Sequence, residues 1–296
     1  MSAKQTVAAA AARSACGPVG ATRALIDDAA ARLRDAGIDE ARREAELLLA
    51  HVLGVRRPDL VAGLAGQAVG AEQVSEFQSV VDRRAAREPF PYITGTKGFR
   101  HIELIVDSRV LIPRPETELL VATAVVGRPC SLLDVATGSG AVALALADEL
   151  PDGTVDATDL SEDALAVARA NAERLGLESR TRFWRSDLLD AVDGSYDCIV
   201  ANLPYVPTGE IAGLQPEITD YEPVSALDGG PNGLDVVRRL VAQAPAHLKP
   251  VGLLALEIGD GQGAAVAQLL RDTGFTDVDI HLDLAEKERV VTGTWP

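Results

Sequence analysis

From Ser131 to Thr294, short runs rich in Val, Ile and Leu alternate with longer stretches whose apolar residues recur every three or four positions. No other feature constrains the fold as strongly. Strands separated by helices pair in parallel, and a parallel sheet has to be covered on both faces. Strands are expected near 131-136, 154-159, 180-184, 196-201, 252-257, 276-281 and 288-294, with helices at 115-126, 140-149, 162-175, 233-247 and 261-272. The last two strands have no helix between them, so a hairpin should bring an antiparallel strand into the sheet. The class is α/β.

Upstream the pattern is different. "ATRALIDDAAARLRDAG" places Leu25, Ile26, Ala29, Ala30 and Leu33 on one helical face and stops at Gly37. "EARREAELLLAHVLG" repeats this with Leu47, Leu48, His51 and Leu53, and "AEQVSEFQSVVDRRAARE" with Val74, Phe77, Val80 and Val81. Three or four short helices make a bundle in which His51 is a packed core residue. From Pro89 the period falls to two, and "PYITGTKGFRHIELIVDSRVLIP" reads as a β-hairpin with a Gly-rich turn. The expected organisation is a disordered leader over 1-20, a helical domain over 21-88, a hairpin linker over 89-112 and the sheet domain over 113-296.

Composition narrows the function. A formal net charge of -16, from 28 Lys and Arg against 44 Asp and Glu, opposes direct binding to a phosphate backbone. Cys16, Cys130 and Cys198 have no metal-ligand or CxxC spacing, which suits a reducing, cytoplasmic compartment and reads as core cysteine. The alanine-rich start lacks the large aliphatics of a signal peptide, so Cys16 is not expected to carry lipid. No stretch of about eighteen apolar residues is free of charge, and no membrane partner is expected.

"LLDVATGSGAVALALA" passes from a strand directly into a helix through Gly138 and Gly140, with Thr137 and Ser139 as hydroxyl donors. Asp159 follows about twenty residues on, where an acid grips a ribose. A nicotinamide dinucleotide and S-adenosyl-L-methionine both use such a site. Asp134 favours the second, because a carboxylate before the turn suits the cationic methionine end and repels a pyrophosphate; capping the loop is its alternative role. Asp187, after the third strand, can accept from an adenine amino group with Leu188 against the ring, or serve as a helix N-cap.

"ANLPYVP", residues 201-207, ends the fourth strand with an amide, a stiff backbone and an aromatic ring. An amide or exocyclic NH₂ is a poor nucleophile because its lone pair is delocalised. If the Asn202 side-chain oxygen and the Leu203 carbonyl each accept one N–H, the nitrogen is fixed with its lone pair toward a methyl donor. Tyr205 can stack on the planar group. Asn202 as a simple turn residue is the alternative.

These segments together resemble the PrmC (HemK-like) family of peptide chain release factor glutamine methyltransferases, over nearly all of residues 21-296. The resemblance rests on "PYITG" from Pro91, "LIPRPETELLV" from Leu111, "DVATGSG", "ANLPYVP", "YEPVSALDGG" from Tyr221 and "LLALEIGDGQG" from Leu253. It implies a seven-stranded, Rossmann-like methyltransferase domain with a small N-terminal helical bundle and a linking hairpin. The implied reaction moves a methyl from S-adenosyl-L-methionine to the Gln side-chain nitrogen in a release factor's Gly-Gly-Gln loop. By the same resemblance Gly138, Ser139, Gly140 and Asp159 contact the cofactor, Ala136, Thr137 and Leu188 line its site, and Asn202, Leu203, Pro204 and Tyr205 clamp the substrate, Asn202 also bordering the cofactor. The family motif usually reads Asn-Pro-Pro-Tyr, and Leu203 departs from it. The alternatives are methylation of adenine amines or of another amide, and cofactor binding without catalysis.

Overall fold

The structure is a computed structural model that describes residues 18–63 and 69–296. The chain divides into two compact units, Met1–Thr94 and Gly95–Pro296.

In the first unit α1 (Pro18–Asp35), α2 (Ala41–Leu53), α3 (Arg57–Val61), α4 (Ala71–Ala85) and α5 (Phe90–Thr94) enclose a core that includes Ile26, Leu33, Leu48, Leu49, Phe77 and Val81. The leader expected over 1-20 falls on residues 1–17, outside the described residues together with Cys16, and on Pro18 to Gly20, which are already helical. His51 is exposed instead of packed, and Ala45 and Leu49 hold the core face of α2. Pro91 to Thr94, expected in the hairpin, are helical. A five-residue helix after Pro89 is too short to show a 3.6-residue period, so an alternating reading fits it equally well.

The second unit opens with β1 (Thr96–Phe99) and β2 (Ile102–Ile105), paired antiparallel with Phe99 opposite Ile102. The hairpin turn is Arg100-His101 and not the Gly-rich segment; Arg100 takes φ +48°. Its guanidinium is held by both carboxylate oxygens of Glu149, which offsets part of the left-handed strain.

The main sheet has β3 (Ser131–Val135), β4 (Thr154–Asp159), β5 (Thr181–Arg185), β6 (Tyr196–Asn202), β7 (Leu248–Glu257), β8 (Thr276–Leu282) and β9 (Glu288–Thr294) in the order β5-β4-β3-β6-β7-β9-β8. The first five run parallel, and β9 pairs antiparallel with both β7 and β8. The connecting helices are α6 (Glu118–Ala124), α7 (Ala141–Glu149), α8 (Glu162–Leu175), α9 (Pro216–Thr219), α10 (Asp235–Gln243) and α11 (Gly263–Thr273). Side chains alternate along each strand, so Leu132 joins the core under α6 and α7 while Leu133 joins the one under α10 and α11. Cys198 lies in the first of these cores, and Cys130, expected there too, is exposed. The chain leaves β3 toward β4 on one side and returns as β6 on the other. Between β3 and β6 the strand order reverses, and the crevice at their C-terminal ends is where such sheets bind ligands.

Candidate active site

Five strand ends meet at that crevice. At the end of β3, Ala136 (φ +62°), Gly138 (φ +57°) and Gly140 (φ +82°) turn the chain into α7. Asp134, buried, holds the turn from below: its Oδ2 accepts from the Thr137 hydroxyl at 2.6 Å and from the Ala143 amide at 3.1 Å. Burial pushes its carboxyl up to about 7, against those two hydrogen bonds. Capping the loop is thus what its placed hydrogen bonds accomplish.

The two glycines serve different needs. A Cβ on Gly140 would sit 3.0 Å from Leu144 Cδ1 and 3.2 Å from Ala168 Cβ, so its bareness lets α7 and α8 approach. A Cβ on Gly138 would meet nothing within 4 Å. Gly138 instead presents open backbone at the crevice, and its amide donates 2.9 Å to Asp159 Oδ2 while Ser161 N donates 2.9 Å to Oδ1. Asp159 is raised by burial, with these amides pulling it down.

Thr137 N donates to the Thr158 carbonyl at 2.9 Å, joining the turn to β4. After β5, Leu188 is buried at φ +51°, a second non-glycine in the left-handed region beside the crevice. Asp187 next to it pairs with Arg239 at 2.8 Å, and no helix follows, so the N-cap reading of Asp187 does not hold.

Asn202 closes β6, one strand from the glycine turn, with Val135 opposite Ala201. Its Nδ2 donates 3.1 Å to Thr117 Oγ1, on the 3₁₀ turn Pro115–Thr117. The loop beyond is braced from behind. Gln262 Nε2 donates 3.0 Å to the Tyr205 carbonyl, and its Oε1 accepts from Gly259 N at 2.9 Å. Gly229 and Gly233 press so closely that a Cβ would lie 2.6 Å from the Pro204 oxygen and 2.2 Å from the Tyr205 oxygen respectively. Arg114 donates 2.6 Å to buried Glu222, which also accepts from Ile112 N at 3.3 Å. Through these contacts "IPRPETE", "YEPVSALDGG" and "GDGQG" form the walls around the asparagine motif.

Sequence reasoning singled out neither Asn171, Thr117 nor Glu257. Asn171 Nδ2 donates to the Ser139 carbonyl at 2.9 Å and to the Ile105 carbonyl at 3.0 Å, and its Oδ1 accepts from Ile105 N at 2.6 Å. It fastens the glycine turn to β2. An asparagine inside an otherwise apolar helical face was the available signal. Glu257 ends β7 directly beside Asn202 in the parallel register. It is 2% exposed, and a glutamate at the end of the apolar run "LLALE" was its signal.

The arrangement can hold a nucleoside-bearing cofactor on the β3–β4 side and a planar amide on the β6 side. Comparison with known proteins identifies the family. The PrmC N-terminal domain family matches residues 24–95 and the methyltransferase small domain family residues 115–214. A release factor glutamine methyltransferase of Rhodospirillum rubrum is 42% identical over 268 residues, 90% of this chain and 82% of that protein. One of Geobacter sulfurreducens is 39% identical over 274 residues, 92% and 95% of the two. Among solved structures the hMettl16 catalytic domain in complex with the MAT2A 3'UTR hairpin 6 shares the fold at a TM-score of 0.54 and 15% identity, over 77% of this chain and 83% of that one. A methyltransferase from Pyrococcus furiosus does so at 0.50 and 19%, over 74% and 98%. A chain with this glycine turn, this amide at the end of β6 and relatives of this closeness belongs to the release factor glutamine methyltransferase family.

Proposed function

We propose that this protein transfers a methyl group from S-adenosyl-L-methionine to the side-chain amide nitrogen of the glutamine in the Gly-Gly-Gln loop of peptide chain release factors, in the cytoplasm where they act. The observation that most supports it is the orientation of Asn202. With Nδ2 committed to Thr117, Oδ1 is left to accept. Together with the Leu203 carbonyl it can take both N–H bonds of a planar NH₂, which fixes the nitrogen and lets its lone pair localise. Tyr205 covers the amide, and Pro204 keeps Leu203 extended. Burial pushes the Tyr205 hydroxyl up to about 12, so it stays neutral while doing so.

The residues on the other side fit the cofactor: open backbone at Gly138 and a carboxylate at Asp159 positioned beside it. S-adenosyl-L-methionine supplies, when bound, an electrophilic methyl on a sulfonium. Asp159 would hold the ribose, with Gly138, Ser139, Gly140, Ala136 and Thr137 around the methionine portion and Leu188 and Asp187 around the adenine. Asp134 keeps the turn in shape and adds negative charge beneath it, and Asn202 borders both sites. No basic side chain has to deprotonate the substrate first, because the nitrogen loses its proton readily once it carries the methyl.

The helical unit contributes none of these groups and is assigned to holding the release factor. A chain beginning at Gly95 is expected to bind S-adenosylhomocysteine normally and to methylate whole release factor poorly. Full methylation by it would refute that role. The reaction itself is tested by mass spectrometry of a release factor incubated with the protein and S-adenosyl-L-methionine. One methyl on the Gly-Gly-Gln glutamine is expected; no methyl, or a methyl elsewhere, refutes the assignment.

A further inference from the structure

We propose that Glu257 is a positioning residue for the substrate amide: acting through the Thr117 hydroxyl, it holds Asn202 with its carbonyl toward the incoming glutamine. This rests on the role given to Asn202 above.

Three observations converge on it. Asn202 and Glu257 are partners across the parallel β6–β7 pair, so their side chains leave the same face of the sheet. Thr117 links to Asn202 directly, its Oγ1 accepting from Asn202 Nδ2 at 3.1 Å, and its hydroxyl, like that of Tyr205, is near enough to the Glu257 carboxylate to pull its pKa down. Glu257 is nonetheless under-satisfied, for its Oε2 is buried without a hydrogen-bond partner. A buried acceptor left in that state destabilises the fold. A glutamate serving stability alone would be better replaced by an apolar residue, so this one calls for another explanation.

The explanation lies in the direction of the hydrogen bonds. An ionised carboxylate only accepts, whereas a hydroxyl has one proton to give and two lone pairs. Facing an ionised Glu257, Thr117 gives its proton to the carboxylate. Only its lone pairs then remain for Asn202, which must present NH₂ to Thr117 and Oδ1 to the substrate. A protonated Glu257 can donate to Thr117 instead. The Thr117 proton is then free to reach Asn202 Oδ1, which favours the flipped amide and sets NH₂ against the substrate's NH₂. The sense of the whole chain is therefore fixed by one charge.

Burial pushes Glu257 up to about 7, assisted by Glu116 and opposed by Thr117, Arg289 and Tyr205, the groups that face it from the 3₁₀ turn, from β9 and from the loop after β6. The ionised form is the productive one, so turnover should rise with pH through the region of that value.

The test uses Glu257→Gln, Thr117→Val and Thr117→Ser in the full-length protein, with a release factor as substrate. Glu257→Gln keeps the shape but can donate as well as accept. Its kcat is expected to fall on the order of 10²-fold, as for one lost preorganised contact. The acidic limb of the pH profile should flatten, while S-adenosylhomocysteine affinity stays within about twofold of the parent value. Calorimetry with a Gly-Gly-Gln peptide, S-adenosylhomocysteine present, should show weaker peptide binding. Thr117→Val should reproduce both effects, Thr117→Ser should restore them, and the double variant should be no worse than either single one. If Glu257→Gln does not fold, the Thr117 pair decides alone. Full activity with an unchanged acidic limb in Glu257→Gln or in Thr117→Val overturns the inference. A parent protein that leaves the release factor glutamine unmethylated would overturn the functional reading instead.

Discussion

Replacing Gly233 with alanine asks whether the loop after β6 is held in place from behind. Gly233 has φ +74°, and an added Cβ would lie 2.2 Å from the Tyr205 carbonyl oxygen, 3.1 Å from its carbon and 2.7 Å from Gln262 Nε2. The glutamine side chain can swing aside, but the Tyr205 carbonyl is backbone and can give way only if the loop itself shifts. The oxygen contact is about 1 Å short of an ordinary one, so Tyr205 has to move by roughly that much. Left-handed alanine costs about 1–2 kcal/mol and overpacking about 1–3 kcal/mol, hence a loss of about 2–5 kcal/mol in stability. A 1 Å displacement of a substrate-positioning element lowers turnover by about 10²-fold. The glycine turn lies on β3 and is not in the path of the clash. Single-turnover methylation of a release factor should therefore fall about 10²-fold while S-adenosylhomocysteine binding, measured by calorimetry, stays near the parent value and shows that the variant is folded. Unchanged turnover in Gly233→Ala, or equal losses of turnover and of cofactor-analogue affinity, would refute the idea that this loop specifically braces the clamp.

Asp159→Ala should weaken S-adenosylhomocysteine by the equivalent of about 1–3 kcal/mol in calorimetry, since it removes a part-buried acceptor and frees the Gly138 and Ser161 amides; unchanged affinity would take Asp159 out of the site. Asn171→Leu should lower the melting temperature, because Ile105 N, Ile105 O and Ser139 O all lose the partner they have inside the protein; a melting temperature at the parent value would show that these groups find other partners. Asp134→Asn addresses pH. The Asp134 carboxyl is raised in the folded state to about 7, so the native state binds more protons than the unfolded one between the ordinary carboxylate value and that point. Stability from this group is present at low pH and is lost as pH rises through that window. Thermal melts from pH 5 to 8 should show the variant gaining on the parent protein with rising pH, and a constant difference would remove the buried charge from the account.

What the sequence made legible was whatever a local period can carry. The seven strands of the main sheet and the five longer helices of the second unit follow from alternation between periods of about two and 3.6, and each strand end falls close to its expected position. The glycine turn was legible because a strand, two glycines and a helix are adjacent in the chain. Residues whose role depends on what folds over them were harder to find. His51 sits at a helical position consistent with burial, yet it is exposed, whereas Leu49 two residues earlier is enclosed. The turn at Arg100 hides because its left-handed residue is an arginine held by Glu149, while the glycines nearby are within or before β1. Thr117, Asn202 and Glu257 come from three separate segments, and only the β6–β7 register and the 3₁₀ turn bring them together. No spacing rule encodes such a contact.

The departure at Leu203 follows from the same packing. In the usual Asn-Pro-Pro-Tyr motif a ring fixes φ at the second position; leucine gives up that restraint. What the amide clamp needs from the position is a carbonyl in a fixed place, and rigidity can come from a side chain as well as from a ring. Leu203 is 2% exposed and lies in the core with Leu188, Leu234 and Ile258. Burying a leucine side chain is worth about 1.5–3 kcal/mol. Any rotation that swung the carbonyl away would draw that side chain out of the core, so the packing opposes the motion that a proline ring would forbid. Pro204 restrains Leu203 from the other side, and Gly229 closes against the Pro204 oxygen. Leucine at this position therefore keeps its carbonyl in place, as the proposed amide clamp requires, from within the same core that holds Leu188 on the proposed cofactor side.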